Sequence, residues 1–445
     1  MSNAPVTADA PRTSTPGPAE AAAPTGRLGR LRSAPFLRPL ADRDYRLFWG
    51  GESISVLGDQ FHFIALTWLA LQLTGSGLVL GTVLMTAAIP RAAFMLLGGA
   101  FSDRFSPRTL MLLSNVIRGI AVGILAALVL AGRAELWHLY VLAGVFGIVD
   151  AFFYPAMNTI VPMLVPERQL APANAVVQSS MQVMGLIGPA VAGAFIAIVG
   201  TGPAFVIDAA SFAVAAFAIA LISGGRRSAE PSTEKPPSML QTIAEGLRAA
   251  WADRTIRSMV VLIAAFNFAF TGPMSVGLAV LADQEFAGGS AAFGLLLSAF
   301  GGGALIGAVV SGSVPRLPRL GTIFMVIAIS LGIGLALSGL APNLPVALAI
   351  IGAMGVLVGF INVQAIAWLQ TRIPEELRGR IMSLVTLGSV GLAPVSLAIA
   401  GALVDIGAVT LMFVVAGGIV VAAAIAGIAW GVPSQVVWPI EEPAG

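Results

Sequence analysis

The sequence is poor in the residues that most binding and catalytic sites need. Its 445 residues include no cysteine, two histidines and only 10% charged residues. The absence of cysteine excludes disulfides, zinc–thiolate sites and iron–sulfur clusters. A soluble domain carries about 25% charged residues, whereas 57% of this chain is hydrophobic and its mean hydropathy is +0.91. The composition therefore predicts a polytopic membrane protein, and we expect no cofactor and no metal.

Polar segments divide the chain. Residues 1 to about 35 are rich in Ala, Pro, Thr, Ser and Gly and lack a long apolar run, which predicts a disordered tail and not a signal peptide. A second polar segment near the middle ends in a predicted surface helix over 238–253, with apolar residues at helical spacing. The predicted organisation is a tail and amphipathic lead-in, a first bundle, a linker, a second bundle and a second tail: 1–45, 46–223, 224–257, 258–431 and 432–445.

Twelve apolar runs follow the lead-in. Each is close to the roughly 20 residues that a helix needs to cross a bilayer. We therefore predict an all-α fold of two six-helix bundles. The spans are 47–73, 78–101, 109–131, 136–161, 174–199, 203–223, 258–282, 291–314, 320–340, 344–370, 381–404 and 408–431.

The basic residues predict the orientation. An even number of spans puts both termini on one side, and the segments on that side hold 21 of the 24 Lys and Arg. The opposite loops hold Arg133 alone, and Arg91 and Arg118 fall within spans. Because positive loops stay inside, we expect both termini in the cytoplasm and the protein in the inner, or plasma, membrane.

The two halves repeat at a constant offset of 208 residues. Gly147 matches Gly355, Phe152 matches Phe360, and Pro166-Glu167 matches Pro374-Glu375. Scattered glycine matches arise by chance in a chain with 51 Gly. A Pro-Glu pair retained at the same loop position favours duplication, which is typical of transporters.

A charged loop joins the second and third spans at residues 98–108. Two apolar runs can meet at charges only where those charges lie in water. The spacing of Gly99, Asp103-Arg104 and Arg108 resembles the loop between helices 2 and 3 of the major facilitator superfamily. That resemblance implies a conformational latch in which Asp103 meets the start of helix 11, where the helix dipole favours an anion. The latch residues are Gly99, Asp103, Arg104, Arg108, Arg378 and Arg380.

Further stretches are similar to the branch of macrolide-efflux and enterobactin-exporter-like proteins. The resemblance covers residues 36 to 431 and implies export of amphipathic small molecules, such as drugs, macrolides or siderophore-like metabolites, driven by proton entry. The matching stretches are Gly58-Asp59, Leu73-Thr74-Gly75-Ser76, Pro90-Arg91, Asp150 to Ala156, Leu164 to Glu167, Gly188-Pro189 and Arg378-Gly379-Arg380.

Four charges lie near the middle of predicted spans, and all are in the first half: Asp59, Arg91, Arg118 and Asp150. A charge within hydrocarbon costs at least about 2.5 kcal/mol, so we expect each of these residues to have a structural or a functional role. One reading pairs them as structural ions. The other makes Asp59 the proton carrier with Arg91 as its partner, and leaves Asp150 as a second proton site or as the partner of Arg118.

The substrate site is predicted between the halves, because helices 1, 4, 7 and 10 line the central cavity in the resembling family. Its polar and aromatic candidates lie on those helices: His62, Phe63, Phe153, Asn267, Asn362 and Gln364.

Three other function classes compete with export. A proton-coupled importer of a polar nutrient would need polar cavity groups in both halves, and the second half has no charge at mid-depth. A membrane enzyme would need a nucleophile or metal cluster that this composition does not supply. An ATP-driven pump would need a phosphate-binding Gly-Lys-Ser/Thr loop, which the sequence lacks. The expected partners are the bilayer, protons and a small molecule, without nucleic acid, and the chain is expected to be a monomer.

Overall fold

The computed structural model describes residues 35–102, 106–223, 248, 251, 254–286, 288–314, 317, 319–372 and 391–436, with backbone only for 35, 95–102 and 254–255. Within these ranges the chain is helical. A short 3-10 helix, Pro35–Ala41, precedes the first long helix.

Six long helices form the first half of the molecule. The first begins after Asp42, whose side chain accepts a hydrogen bond from the backbone N–H of Asp44 at 2.9 Å, which is the usual way to start a helix. It ends at Gly75, which has a φ of 64°. The six are α1 Arg43–Thr74, α2 Gly77–Ser102, α3 Pro107–Leu130, α4 Leu136–Leu164, α5 Leu170–Val199 and α6 Thr201–Ala220.

The second half has six corresponding helices and a short terminal one. The first of these, α7, has three consecutive segments, because a π-helical turn, Pro273–Gly277, lies between Arg254–Gly272 and Leu278–Gln284. Ser396 binds beside this turn, donating to the carbonyl of Phe268 and accepting from the N–H of Gly272. The others are α8 Gly289–Ser313, α9 Leu320–Ser338, α10 Leu344–Arg372, α11 Ala393–Asp405, α12 Val409–Ala429 and α13 Val432–Gln435.

The predicted all-α membrane fold is confirmed. Within the described ranges, eleven helices are long and apolar enough to cross a membrane, and α11 is a shorter apolar helix. The predicted start of the eleventh span at 381 lies outside the described residues, as does almost all of the predicted surface helix over 238–253. Three helices begin four residues before their predicted starts: α1 at Arg43, α5 at Leu170 and α7 at Arg254, instead of residues 47, 174 and 258.

Equivalent glycines allow close helix packing in both halves. A Cβ on Gly147 of α4 would overlap the carbonyl of Ala87 on α2, and a Cβ on Gly355 of α10 would overlap the carbonyl of Phe300 on α8. Small residues let membrane helices approach to backbone contact. The repeat seen in the sequence therefore recurs as the same packing of the fourth helix of each half on the second.

The two halves meet along two helix pairs, α2 with α11 and α5 with α8. Among the described residues, four hydrogen bonds join the halves there. The carboxylate of Asp405 accepts from Ser76 Oγ at 2.6 Å and from Leu78 N–H at 3.1 Å. Ser290 Oγ donates to the carbonyl of Gly193 at 3.1 Å, and Ser298 Oγ accepts from Ala190 N–H at 2.9 Å. All four lie in the part of the bundle farther from the chain termini, so the described conformation is closed at that end.

Candidate functional site

The centre of the first half contains an ion pair between a buried arginine and a half-buried aspartate. Arg118 is the twelfth of 24 residues in α3, and Asp150 is the fifteenth of 29 in α4, so both lie at mid-helix. Their Nη1 and Oδ1 atoms are 3.3 Å apart, and Arg118 is 3% exposed. Of the two roles left open for Asp150, the structure shows the pairing with Arg118; a proton role stays a prediction.

Aromatic rings hold the Arg118 guanidinium in place. Its carbon lies 4.2 Å from the ring centroid of Phe153 on α4 and 4.8 Å from that of Phe212 on α6. Arg118 Nη2 also donates to Asn115 Oδ1 at 3.5 Å. A planar guanidinium stacks on ring faces in a way that an ammonium does not. The arginine is therefore the fixed cation around which α3, α4 and α6 pack.

Asp59 is the seventeenth of 32 residues in α1 and is half-buried. It interacts electrostatically with Arg118, Asp150, Asp208 and His62. The depth of Asp59 in its helix therefore agrees with the prediction. The predicted partner, Arg91, is not among these interacting residues.

The partner predicted for Asp59 was Arg91, the fifteenth of 26 residues in α2. Among the described side chains no ion pair joins Asp59 to Arg91, and Arg91 acts on Asp150 instead. The pair is therefore not formed in this conformation, and a functional partnership between Asp59 and Arg91 stays a prediction.

A second polar pair lies closer to the end opposite the termini. His62 Nδ1 is 3.0 Å from Oδ2 of Asp208 on α6, and Asp208 is fully buried. The His62 ring stacks on Phe146 with centroids 4.1 Å apart. In the predicted span 203–223, Asp208 lies near the start, which would put it close to the membrane surface. Its position, eighth of the 20 residues in α6, was the available signal for a buried carboxyl group.

Sequence reasoning missed Glu52 altogether. This residue of α1 is 6% exposed, and its Oε1 atom has no hydrogen-bond partner among the described residues. With a helix start at 47, Glu52 would lie near the membrane surface. The observed start at Arg43 puts it nine residues into the helix, about 13 Å from its beginning. Asp42, an acidic N-cap residue, was the signal that would have placed the start correctly.

The predicted cavity residues divide into two groups. His62 and Phe153 are buried in the first half, and Gln364 is buried on α10 with Nε2 3.4 Å from the carbonyl of Ser311 on α8. Asn362 is exposed, while Phe63 and Asn267 are half-buried. The ring of Phe63 lies 6.1 Å from that of Phe293, on the other half. A cavity role for all six residues stays a prediction. Asn362, Phe63 and Asn267 fit that role better in this conformation, because their side chains are more exposed.

The latch residues are only partly described. Gly99 lies in α2, while Asp103, Arg104, Arg378 and Arg380 lie outside the described residues. Arg108 donates to the carbonyls of Ile219 at 3.2 Å and Ala220 at 2.7 Å, at the carboxyl end of α6. A cation is favourable there because the helix dipole is negative. The latch itself stays a prediction.

Two six-helix halves with repeated packing, joined face to face and carrying charges at mid-helix, are an architecture typical of transporters. The family comparison agrees, since a model of the Major Facilitator Superfamily matches residues 48–393. The chain belongs to the Major Facilitator Superfamily.

Relatives of this chain include named efflux proteins. It is 26% identical over 356 residues to the multidrug efflux pump Tap of Mycolicibacterium fortuitum, covering 78% of this chain and 86% of Tap. It is 23% identical over 381 residues to macrolide efflux protein A of Streptococcus pyogenes, covering 85% of this chain and 93% of the relative. The predicted resemblance to macrolide-efflux proteins is thereby confirmed.

Solved structures share the fold. The nucleoside transporter NupG has a TM-score of 0.68 at 12% identity, with 87% of this chain and 99% of NupG covered. A bacterial homologue of the iron transporter ferroportin in its inward-facing state has a TM-score of 0.67 at 19% identity, with 87% and 98% covered.

Proposed function

We propose that this transporter is an exporter that exchanges protons for amphipathic small molecules such as drugs, macrolides or siderophore-like metabolites. The observation that carries the proposal is Asp59, a carboxyl group at the centre of α1 that interacts electrostatically with Arg118, Asp150, Asp208 and His62. The efflux proteins among the relatives support the direction of transport. Both termini are proposed to lie in the cytoplasm, as the distribution of basic loops indicates.

Asp59 is suited to proton coupling because its charge belongs to a shared network. Adding a proton to Asp59 removes one negative charge from a group of side chains that all interact electrostatically with Arg118. A substrate that binds best to the deprotonated form of this network then competes with the proton. Antiport requires this linkage between the two ligands.

The substrate is proposed to bind between the halves. Exposed Asn362 and half-buried Asn267 give the second half amide groups, and Phe63 reaches Phe293 across the interface. In the described second-half helices, charged side chains occur only in the terminal turns. Such a surface favours amphipathic compounds over highly polar nutrients, which are the substrates of the importer alternative.

Asp59→Asn tests the coupling because asparagine keeps the size of the side chain and mimics its protonated state. In proteoliposomes, we expect this variant to lose uphill export of a dye or macrolide driven by an imposed pH gradient. It should keep substrate binding and downhill exchange. Proton release by the purified protein on substrate addition should also disappear. Glu285→Gln, an exposed carboxyl group beyond α7, is the matched control.

Three results would contradict parts of this proposal. A full proton-release signal in Asp59→Asn would remove Asp59 as the carrier. Loss of that signal only in Asp150→Asn would move the proton to α4. Uphill uptake into cells, with no export of any compound from an efflux-deficient host, would replace export by import.

A further inference from the structure

His62 and Asp208 form a buried pair one helical turn from Asp59. The Nδ1 atom of His62 on α1 lies 3.0 Å from Oδ2 of Asp208 on α6, and the Asp208 side chain is 0% exposed against 10% for His62. His62 follows Asp59 by three residues, which places both side chains on one face of α1 with Cβ atoms about 5–6 Å apart. One water is enough to bridge such a gap. The pair is therefore close enough to exchange a proton with Asp59.

Two aromatic rings fix the orientation of the imidazole. The His62 ring stacks on Phe146 of α4, with centroids 4.1 Å apart and an interplanar angle of 11°, and it meets Phe205 of α6 edge-on at 6.0 Å. Because Nδ1 is held at Asp208, the other ring nitrogen is the one that exchanges protons with groups outside the pair. A histidine with one nitrogen held by a carboxylate is well suited to act as a proton shuttle.

The second oxygen of Asp208 distinguishes this carboxyl group from a purely structural anchor. Its Oδ1 atom has no hydrogen-bond partner among the described residues, whereas most buried polar side-chain atoms have at least one. A Cβ on Gly58 would lie 3.0 Å from this oxygen. Oδ1 therefore faces α1 at the residue next to Asp59, the proposed proton carrier.

The surroundings of the pair favour a net charge of zero. The charged groups that act on His62 electrostatically are Asp59, Asp150 and Arg118. Arg118 also acts on Asp208, but the direct partner of that carboxyl group is His62. The pair is neutral when it holds one acidic proton, either as imidazolium with carboxylate or as imidazole with carboxylic acid. An apolar interior disfavours an unpaired charge, so the pair holds one exchangeable proton.

The pair lies between Asp59 and the end of the bundle opposite the termini. One turn further toward that end, Leu66 of α1 and Phe205 of α6 are 4% and 0% exposed. In the described conformation, which is closed at that end, buried apolar side chains separate the pair from water on that side. A proton site that serves one side must be sealed while the transporter faces the other side, because an open site would leak protons.

We infer that His62 and Asp208 form a proton station that loads Asp59 from the side of the membrane opposite the termini. In the loading step an N–H bond of the imidazolium breaks, and its proton forms an O–H bond on the Asp59 carboxylate. The pair passes from neutral to one negative charge, and Asp59 passes from one negative charge to neutral. When that end opens, water on that side returns a proton to the pair. The inference rests on the proposed proton exchange and adds the route by which the proton enters.

The dependence of transport on proton concentration tests the station. The variants are His62→Gln, which keeps a hydrogen-bond donor for Asp208, and Asp208→Asn, which keeps the size of the side chain. The assay follows uptake of radiolabelled erythromycin into proteoliposomes with an acidic lumen, by chains whose termini face outward. At a lumenal pH of about 7, against about 8 outside, we expect each variant to be slowed about tenfold or more. At a lumenal pH of about 5.5 the deficit should shrink to less than about threefold, because abundant protons reach Asp59 without the station.

Three comparisons separate a proton station from a structural pair. Erythromycin exchange at equal pH on both sides moves no net proton, so both variants should stay within about twofold of the wild type. The double variant should be no slower than either single variant, because the two residues act as a unit. His138→Gln changes the other histidine of the chain, which is half-buried near the start of α4, and it should transport like the wild type at each pH.

The outcomes distinguish this inference from the proposed function. A deficit of equal size at both lumenal pH values, or wild-type rates in both variants, overturns the station and leaves proton-coupled export standing. Loss of exchange in both variants also overturns it, because the pair would then be structural. If the wild-type chain moves erythromycin without any dependence on the pH gradient, or moves no amphipathic compound at all, the proposed antiport fails and the station fails with it.

Discussion

Arg118 shows how one side chain can organise half of a transporter. Its guanidinium contacts Asp150, lies over Phe153 and Phe212, and donates to Asn115, so it joins α3, α4 and α6. Removing one partner of a buried ion pair costs about 3–5 kcal/mol, because the other charge is left uncompensated. The pair is therefore structural whether or not Asp150 also takes up a proton.

Arg118→Lys separates charge from shape at this position. Lysine keeps the positive charge but loses the flat guanidinium and its fork of donors, so we expect a loss of about 2 kcal/mol of stability. The measurement is the midpoint temperature of the detergent-solubilised protein by fluorescence-detected size exclusion. Arg133→Lys, at an exposed position between α3 and α4, is the control. Equal midpoints for the two variants would contradict the stacking role.

The sequence located most charged residues of the site and offered the Arg118–Asp150 pair as one alternative, but it did not predict which side chains surround Asp59. Asp59, Arg91, Arg118 and Asp150 are recognisable because each interrupts an apolar run near its middle. Pairing depends on the rotation of each helix about its axis, which short loops do not determine. Arg91 and Asp59 are on neighbouring antiparallel helices, yet Arg91 acts on Asp150 of α4.

At the scale of helices, glycines determine how closely the halves approach. A Cβ on Gly294 of α8 would overlap the carbonyl of Pro189 on α5, and a Cβ on Gly193 would overlap the carbonyl of Ser290. A Cβ on Gly81 of α2 would likewise overlap the carbonyl of Leu397 on α11. The same backbone contact thus occurs at both interfaces between the halves.

Gly294→Ala tests this contact with a single methyl group. Alanine favours an isolated helix over glycine by about 1 kcal/mol, so any loss comes from the interface. We expect the proposed export activity to fall about tenfold at equal membrane expression, because the closed state at this end is disfavoured. In Gly418→Ala of α12, where a Cβ meets nothing within 4 Å, efflux should stay within twofold. Equal efflux by both variants would show that close approach of α5 and α8 is dispensable.

The apolar runs predicted the number and order of the helices. They did not predict irregular turns within a helix. The π-helical turn Pro273–Gly277 has no signal that separates it from an ordinary turn at Gly272-Pro273. It depends on contact with another helix, since Ser396 of α11 donates to Phe268 and accepts from Gly272. Such tertiary hydrogen bonds are invisible to a reading of hydropathy.

At the scale of the whole molecule, Asp405 holds the two halves together at the end opposite the termini. Its carboxylate accepts from Ser76 Oγ and Leu78 N–H at the amino end of α2. An anion at the amino end of a helix is also favoured by the helix dipole. Opening that end requires both hydrogen bonds to break, so Asp405 contributes to the balance between the two access states.

Asp405→Ala should shift that balance toward the state open at this end. Hydrogen bonds to charged groups contribute about 1.5–3 kcal/mol, so we expect the open state to be about tenfold more populated. Ser290→Cys, a buried interface position, reports opening by its labelling rate with a membrane-impermeant thiol reagent. Glu285→Gln, near the same end, is the control. An unchanged labelling rate in Asp405→Ala would show that the contact does not hold the halves together.

The uneven distribution of charge has an electrical consequence. A membrane voltage exerts force only on charges that move through it, at about 2.3 kcal/mol per elementary charge per 100 mV. In the described helices the deep charges belong to α1, α2, α3, α4 and α6, while α7 to α12 carry theirs only in terminal turns. When the halves rock against each other, the first half senses the potential and the second moves almost unaffected by it.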